Sequence, residues 1–439
     1  MSNTALRTIS EAVLSRARQR GATAAETEIS QGFGQSVTVR KGEVETIEYN
    51  RDKGLTVTVY VGNRRGHASS VDTSPAALDA TVDKALTIAR YTEEDGCAGL
   101  ADPDRLAHEI PNLDLYHPWN VAVEEAIDIA QRCEGAALAV DTRIVNSEGA
   151  TVSAHEGEFI YANSLGFSNG YCTSRHSISC SVIAEDKGAM QRDYWYTSSR
   201  LPGELESAEA VGRRAGARTV RRLNARQLTT RSAPVLFEAP VASGLIGHFT
   251  SAISGGSLYR KSSFLLDSIG QTVFAPHVRI SEQPHLPRGT ASAPFDDEGV
   301  ATVARDVVRD GIVQGYFLGS YSARKLGLAT TGNSGGTHNL LVGHGDDDFE
   351  ALLRRMGTGL LVTELLGQGV NIVTGDYSRG AAGFWVEGGQ IAYPVEEITI
   401  AGNLRDIYRG VVAVGDDVDR RGTRQTGSIL IESMTIAGS

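Results

Sequence analysis

The position of the glycines constrains this chain more than any other feature. Its 439 residues include 49 glycines, and they concentrate in the second half, in GGSLYRKSS, TTGNSGGTHN, GHGDDD, GTGLLVTELLGQGVN and GDYSRGAAGFWVEGGQ. Glycine accepts positive φ and lets another backbone approach closely. Runs such as ITIAGN and ILIESMTIAG alternate as half-buried strands do. Glycines beside such runs predict bulges, tight bends, or a groove in which another backbone lies. The second half therefore reads as β-dominated.

The first half has a different texture. Leu6, Ile9, Val13 and Leu14 recur at helical spacing over residues 5–20, and Gly21 ends the run. Val37 and Val39, then Val44, Ile47 and Tyr49, then Leu55, Val57, Val59 and Val61 form strand-like runs. Lys41-Gly42 and Asp52-Lys53-Gly54 supply turn residues between them, which predicts an antiparallel meander. Ser74-Pro75 opens a helix to about Arg90, with serine as N-cap and proline at the first helical position. Pro103, Pro111 and Pro118 mark residues 96–120 as a connector. A helix from about Val123 to Val140, strand-like segments from Ile144 to about Ala184, and a helix from about Glu204 to Leu223 follow. The polar stretch Asn224 to Pro234 sets the main boundary. The predicted fold class is α+β. It has an N-terminal α+β module over 1–100, a central α+β module over 101–228 packed with the first, and a glycine-rich, β-rich C-terminal domain over 229–439.

Hydrophobic residues are 41% and charged residues 22%, which excludes a disordered chain, a coiled coil and a membrane channel. No apolar run approaches the ~18–20 residues that span a bilayer. The N-terminus lacks the apolar core of a secretory signal, so the expected location is the cytoplasm. Cys97, Cys133, Cys172 and Cys180 form no C-x-x-C pair and read as reduced thiols. Asp plus Glu number 53 against 42 Lys plus Arg, a net charge of −11 that disfavours nucleic acid as a partner. Arg213, Arg214, Arg218, Arg221, Arg222 and Arg226 read as an ion-paired solvent face, with Glu209 and Arg213 at i,i+4.

The search for chemistry yields little. His108-Glu109 runs into Pro111, and His155-Glu156 is followed by Gly157, Glu158, Phe159 and Ile160 with no histidine at the needed spacing, so neither is a helical zinc motif. His338 and His344 lie near Asp346, Asp347 and Asp348, which read as surface loop and as a turn into a helix at Phe349. There is no G-x-S-x-G elbow and no phosphate-binding G-x-x-x-x-G-K-[ST] loop. The residues alone describe a soluble α/β chain with a glycine-rich groove and no assembled catalytic set.

Six segments carry a family resemblance: RKGEVETIEYNRDKGLTVTVY, GYCTSRHSISCSVIAE, GGSLYRKSSFLLDSIG, SYSARKLGLATTGNSGG, MGTGLLVTELLGQGVN and GDYSRGAAGFWVE. Over almost its whole length the chain resembles the TldD/PmbA metallopeptidase family, in its PmbA/TldE branch. In the TldD-like branch a helix carries His-Glu-x-x-x-His, and a cysteine near the C-terminus completes a metal site. The matching segment here is Ser243-Gly244-Leu245-Ile246-Gly247-His248, and every cysteine precedes residue 181. Only His248 of the ligand set is kept, and no glutamate is placed to activate water.

The resemblance thus implies a chain with no catalytic residue, metal or cofactor of its own. It implies a heterodimer with a TldD-like subunit that holds zinc, and a possible homodimer when that partner is absent. The implied activity is cleavage of peptides and unfolded segments, in peptide maturation and antitoxin degradation. No direct nucleic-acid or membrane partner is expected. The glycine-rich half is expected to help form a groove for an extended peptide held through its main chain. Tyr259, Arg260 and Lys261, and Tyr377, Ser378 and Arg379, are the candidate lining residues. His248 itself reads as a hydrogen-bonded histidine. Two other readings compete: a peptidase whose metal is held by residues such as His338 and His344, and a regulatory scaffold that uses the same groove.

Overall fold

A computed structural model describes residues 3–438 of the chain. A seven-stranded sheet organises its first half. The spine is a pair of long antiparallel strands, Ala24–Arg40 and Ile144–Asn163, paired from Glu26 opposite Asn163 to Val39 opposite Ala150. Glu43–Val61 and Arg64–Ser70 extend the sheet on one side, and Cys172–Asp186 and Ala189–Ser199 on the other. The first and central modules therefore share one sheet. Helices Asn3–Gln19 and Pro75–Tyr91 cover Ile29, Leu55, Val57 and Val59. Helices Val123–Leu138 and Ala208–Val220 cover Val37, Val39, Val152 and Cys180. The expected cap at Ser74 is present, its side chain accepting from Ala77 N at 3.4 Å.

Two sequence expectations are corrected. Asp52-Lys53-Gly54 is not a turn, because the strand Glu43–Val61 runs through it with Asp52, Lys53 and Gly54 opposite Gly32, Gln31 and Ser30. The segment from Glu43 to Lys53 is exposed. Its polar residues belong to a wet strand, where charge discourages edge pairing. Lys41-Gly42 does turn the chain, at φ 54 and 78. The reading also stops the strands near Ala184, whereas Lys187-Gly188 closes a hairpin that adds Ala189–Ser199.

In the second half, six strands form a sheet in the order Gln390–Asn403, Asp376–Glu387, Gly359–Leu366, Arg231–Phe237, Ile429–Ala437 and Val411–Val414. Thr399, Ile400 and Ala401 also pair with Ala437, Ile436 and Thr435, so the sheet curls back on itself as a barrel. Pro234 lies inside the strand Arg231–Phe237, where the register against the neighbour shifts between Ile431 and Met434. Such an irregularity accommodates a missing N–H. Helix Ala239–Ala252 follows directly and buries Ala242, Leu245, Ile246 and Phe249 in the same core as Val235, Val362, Ile400 and Ile431. A five-stranded sheet around Ile280–Glu282 completes this half. Among the described residues, no helix is long and apolar enough to cross a membrane.

Many glycines serve the chain's own close approaches. A Cβ at Gly369 would lie 1.8 Å from the Ser378 carbonyl oxygen, and one at Gly383 would lie 1.8 Å from that of Leu361. The same constraint joins the two central helices, where a Cβ at Gly212 would lie 1.9 Å from the Cys133 carbonyl oxygen. Backbone cannot yield as a side chain can, so Gly212→Ala is expected to destabilise the fold by about 1–3 kcal/mol in urea denaturation. Gly203→Ala meets nothing within 4 Å and is the control, expected to change stability by less than about 0.5 kcal/mol. Equal effects would contradict this account of the helix contact.

Candidate functional site

The helix Ala239–Ala252 is anchored at its start. Glu238, just before it, accepts from Arg218 at 3.0 Å and from Arg221 at 3.4 Å, both contributed by the end of the preceding helix and its cap. Past this anchor opens a cleft of 320 Å³. Its walls include Ser243 and Gly244 from the helix, Glu364 and Arg379 from the barrel, and Trp195 from the central sheet. Trp195 is sandwiched between the guanidinium groups of Arg214 and Arg421, at 3.7 and 3.9 Å from its ring centroid. Such stacking is favourable for a partly desolvated cation.

Arg213, Arg214, Arg221 and Arg226 are exposed, as expected of a solvent face, and the reading is corrected only at Arg218 and Arg222. Arg218 is only 9% exposed and pairs with Glu238, with Asp193 at 3.3 Å. Arg222 pairs with Glu364 across the boundary between the halves. Glu209 pairs with Arg132 at 2.6 Å. Arg218 and Arg222 join the two halves and wall the cleft.

Five arginines line the cleft: Arg192, Arg218, Arg222, Arg379 and Arg421. Arg192 pairs with Glu148, Arg218 with Glu238, Arg222 with Glu364, and Arg421 with Asp419 at 2.8 Å. Arg379 stands apart. Its Nε is buried without a hydrogen-bond partner, and the same holds for Arg424, which lies against the helix at Gly247. Among the described residues neither arginine meets a carboxylate. Burial lowers the pKa of Arg424 from its ordinary value.

Both arginines act on His248. Burial first, then Arg379 and Arg424, push this histidine down from 6.5 to about 4, so it is neutral at neutral pH. It makes no hydrogen bond among the described residues, contrary to expectation. Instead its ring meets Tyr377 edge-on at 5.9 Å. The Tyr377 side chain is 1% exposed, and its hydroxyl is buried without a partner.

This donor set does not fit zinc. A zinc site takes three or four nitrogen, sulfur or carboxylate ligands. Here Ser243 donates back to its own helix, to the Pro240 carbonyl at 3.0 Å, and Gly244 has no side chain. The field at His248 comes from two cations. Among the described residues, no three His, Cys, Asp or Glu side chains come together to hold a metal.

The other predicted residues fall in different places. Strand alternation puts Tyr377 and Arg379 on the face toward the helix and Ser378 on the opposite, exposed face. The Ser378 amide donates to Gly369 O at 2.7 Å. Tyr259 packs edge-on to Tyr321 at 5.7 Å, and Arg260 donates to the Tyr259 hydroxyl at 3.0 Å. Lys261 is exposed at φ 57. These three do not line the Arg379 cleft. His338 is buried, its amide donating to Glu282 at 2.9 Å and its Nε2 bonded to Gly332 O at 2.9 Å. His344 is exposed and bonds Gly345 O at 2.8 Å. Asp348 caps the helix Phe349–Met356, accepting from Ala351 N at 2.7 Å, as the sequence leads one to expect.

A second cleft, of 530 Å³, opens near the other end of the helix Ala239–Ala252. Thr250, Ser251, Ser254, Gly255, Gly256 and Ser322 are among its walls. Ser243 and Thr250 are separated by about 10 Å along the helix axis.

The shifted pKa of His248 has a consequence for stability. An unfolded histidine takes up its proton near 6.5, and the folded one only near 4. The folded chain therefore binds fewer protons in that window, and stability falls as pH drops through it. His248→Gln is expected to flatten this fall, measured by urea denaturation across the window. An unchanged slope would contradict the neutral assignment.

The sequence and fold can now be compared with known proteins. Family models of the PmbA/TldA metallopeptidase match residues 25–89 as domain 1, 116–223 as the central domain and 230–438 as the C-terminal domain. A protein named metalloprotease PmbA, from Escherichia coli O157:H7, is 53% identical over 414 residues, covering 94% of this chain and 92% of the relative. A PmbA homolog from Haemophilus influenzae is 50% identical over 416 residues, with coverage of 94% and 92%. A crystal structure from Bacteroides thetaiotaomicron, named for modulation of DNA gyrase, superposes with a TM-score of 0.94 at 26% identity, covering 98% of both chains. TldE from Thermococcus kodakarensis shares the fold, with a TM-score of 0.85 at 19% identity, covering 98% of this chain and 100% of that one. With three family domains matched in order and a relative 53% identical over 94% of this chain, the protein belongs to the PmbA/TldD metallopeptidase family.

Proposed function

We propose that this chain is the PmbA/TldE subunit of a cytoplasmic heterodimeric peptidase, in which a TldD-like subunit holds zinc and this chain completes the peptide groove. The observation that carries the reading is the helix Ala239–Ala252. It bears Ser243, Gly244 and His248 at the positions that match the TldD-like ligand motif, and two cations stand beside the remaining histidine. Yet open clefts flank both ends of this helix. A surface of this kind suits holding a chain better than cleaving one. An extended peptide advances about 3.3 Å per residue, so three or four residues would span the distance from Ser243 to Thr250. The substrates on this reading are peptides and unfolded segments, bound mostly through their main chain.

The test is reconstitution. This chain and a TldD-like partner are purified separately and mixed with an unstructured peptide. The mixture is expected to cleave it, and this chain alone is not. His248→Ala in this chain is expected to leave the zinc content of the complex unchanged. Cleavage by this chain alone, with zinc that His248→Ala removes, would overturn the reading.

A further inference from the structure

We propose that Arg379, Arg424, Tyr377 and His248 form a binding site for a carboxylate, belonging either to the C-terminus of a bound peptide or to an acidic side chain within it. The inference rests on the reading of this chain as a peptide-holding subunit and adds the group that the helix face recognises.

The argument begins with the unmatched charge. Four of the five arginines lining the cleft have carboxylate partners within the chain, and Arg379 has none. Arg424 likewise meets no carboxylate, and the Nε atoms of both are buried without an acceptor. Both side chains are half-buried, and withdrawing even one guanidinium N–H from water without an acceptor is costly. A ligand that brings an anion removes that cost. Tyr377 adds a third donor, because its hydroxyl is buried and unpartnered on a side chain that is 1% exposed. His248 is in ring contact with Tyr377.

The four groups share one neighbourhood. Arg379 acts electrostatically on both Tyr377 and His248, and Arg424 acts on His248. Of the four, Arg379 lines the cleft, and His248 follows Gly244 by one turn on the same helix face. A Cβ added at Gly244 would meet nothing within 4 Å, and the cleft wall there includes Arg379. Guanidinium groups bind carboxylates through paired, charge-assisted hydrogen bonds. An amide in the same place would leave the cations without a counter-charge.

The test uses the full chain without its partner, so its outcome does not depend on cleavage. Histidine-labelled protein is titrated with acetyl-Ala-Ala, its C-terminal amide, and acetyl-Ala-Glu-amide, following the ring resonance of His248. That resonance is assigned by its loss in His248→Gln. At least one carboxylate ligand is expected to shift it saturably, and the uncharged amide is expected to bind at least about tenfold more weakly. A response to acetyl-Ala-Ala identifies the C-terminal carboxylate as the source, and a response to acetyl-Ala-Glu-amide identifies an acidic side chain. Arg379→Met and Arg424→Met, checked for folding by circular dichroism, are each expected to weaken the response about tenfold or more. Equal responses to charged and uncharged ligands, or none to any, would overturn the proposal. The ligand comparison stands on the unaltered chain even where a variant fails to fold. Failed reconstitution beside a carboxylate-selective response would instead count against the peptidase reading alone.

Discussion

The contact between Arg218 and Glu238 links the sheet of the first half to the barrel of the second. Arg218 comes from a helix that covers the central sheet, and Glu238 sits between a barrel strand and the helix Ala239–Ala252. Both side chains are mostly buried, at 10% and 14% exposure. Breaking a buried pair by removing one partner typically costs about 3–5 kcal/mol, because the other charge is left without compensation. The cleft lies beside this joint. Its walls come from the central sheet, the helix and the barrel, so its shape depends on the two halves keeping their relation.

The electrostatics of the cleft follow from the same joint. Arginines of the central module reach across it to carboxylates of the barrel half, as Arg222 does to Glu364. Among the arginines lining the cleft, Arg379 is left without a carboxylate partner, as is Arg424 beside Gly247, near a histidine that burial keeps neutral. A cation would meet repulsion here, and an anion would meet donors. The helix face thus stands in a field that favours an anion over a cation.

Much of this was legible in the sequence, where local rules decide. Ser74 and Asp348 cap the helices that their positions predict. The match to the TldD-like helical motif puts Ser243, Gly244 and His248 on one helix, and the structure has them on the helix Ala239–Ala252. Exposed strand residues share their chemistry with turns, which is why Asp52-Lys53-Gly54 misled. Arg218 and Arg222 misled for another reason, because the carboxylates that cover them, Glu238 and Glu364, are distant in the chain, while Arg213, Arg214, Arg221 and Arg226 do face solvent. The spacing of Tyr377, Ser378 and Arg379 did hold a usable signal, since strand alternation alone separates Ser378 from the other two. Arg424 and Trp195 gave none, as only tertiary packing brings them to the site. The glycines were read in part correctly, for close backbone approach, but several of those approaches are internal, as at Gly369 and Gly383.

The central claim is that this chain shapes a binding surface and does not hold the reactive metal. The most direct measurement is the zinc content of the chain purified alone, without chelator, beside a TldD-like partner treated in the same way. The account predicts less than about a tenth of a zinc per chain here and about one per chain in the partner. One tightly held zinc in this chain, lost on substitution of His248, would contradict it.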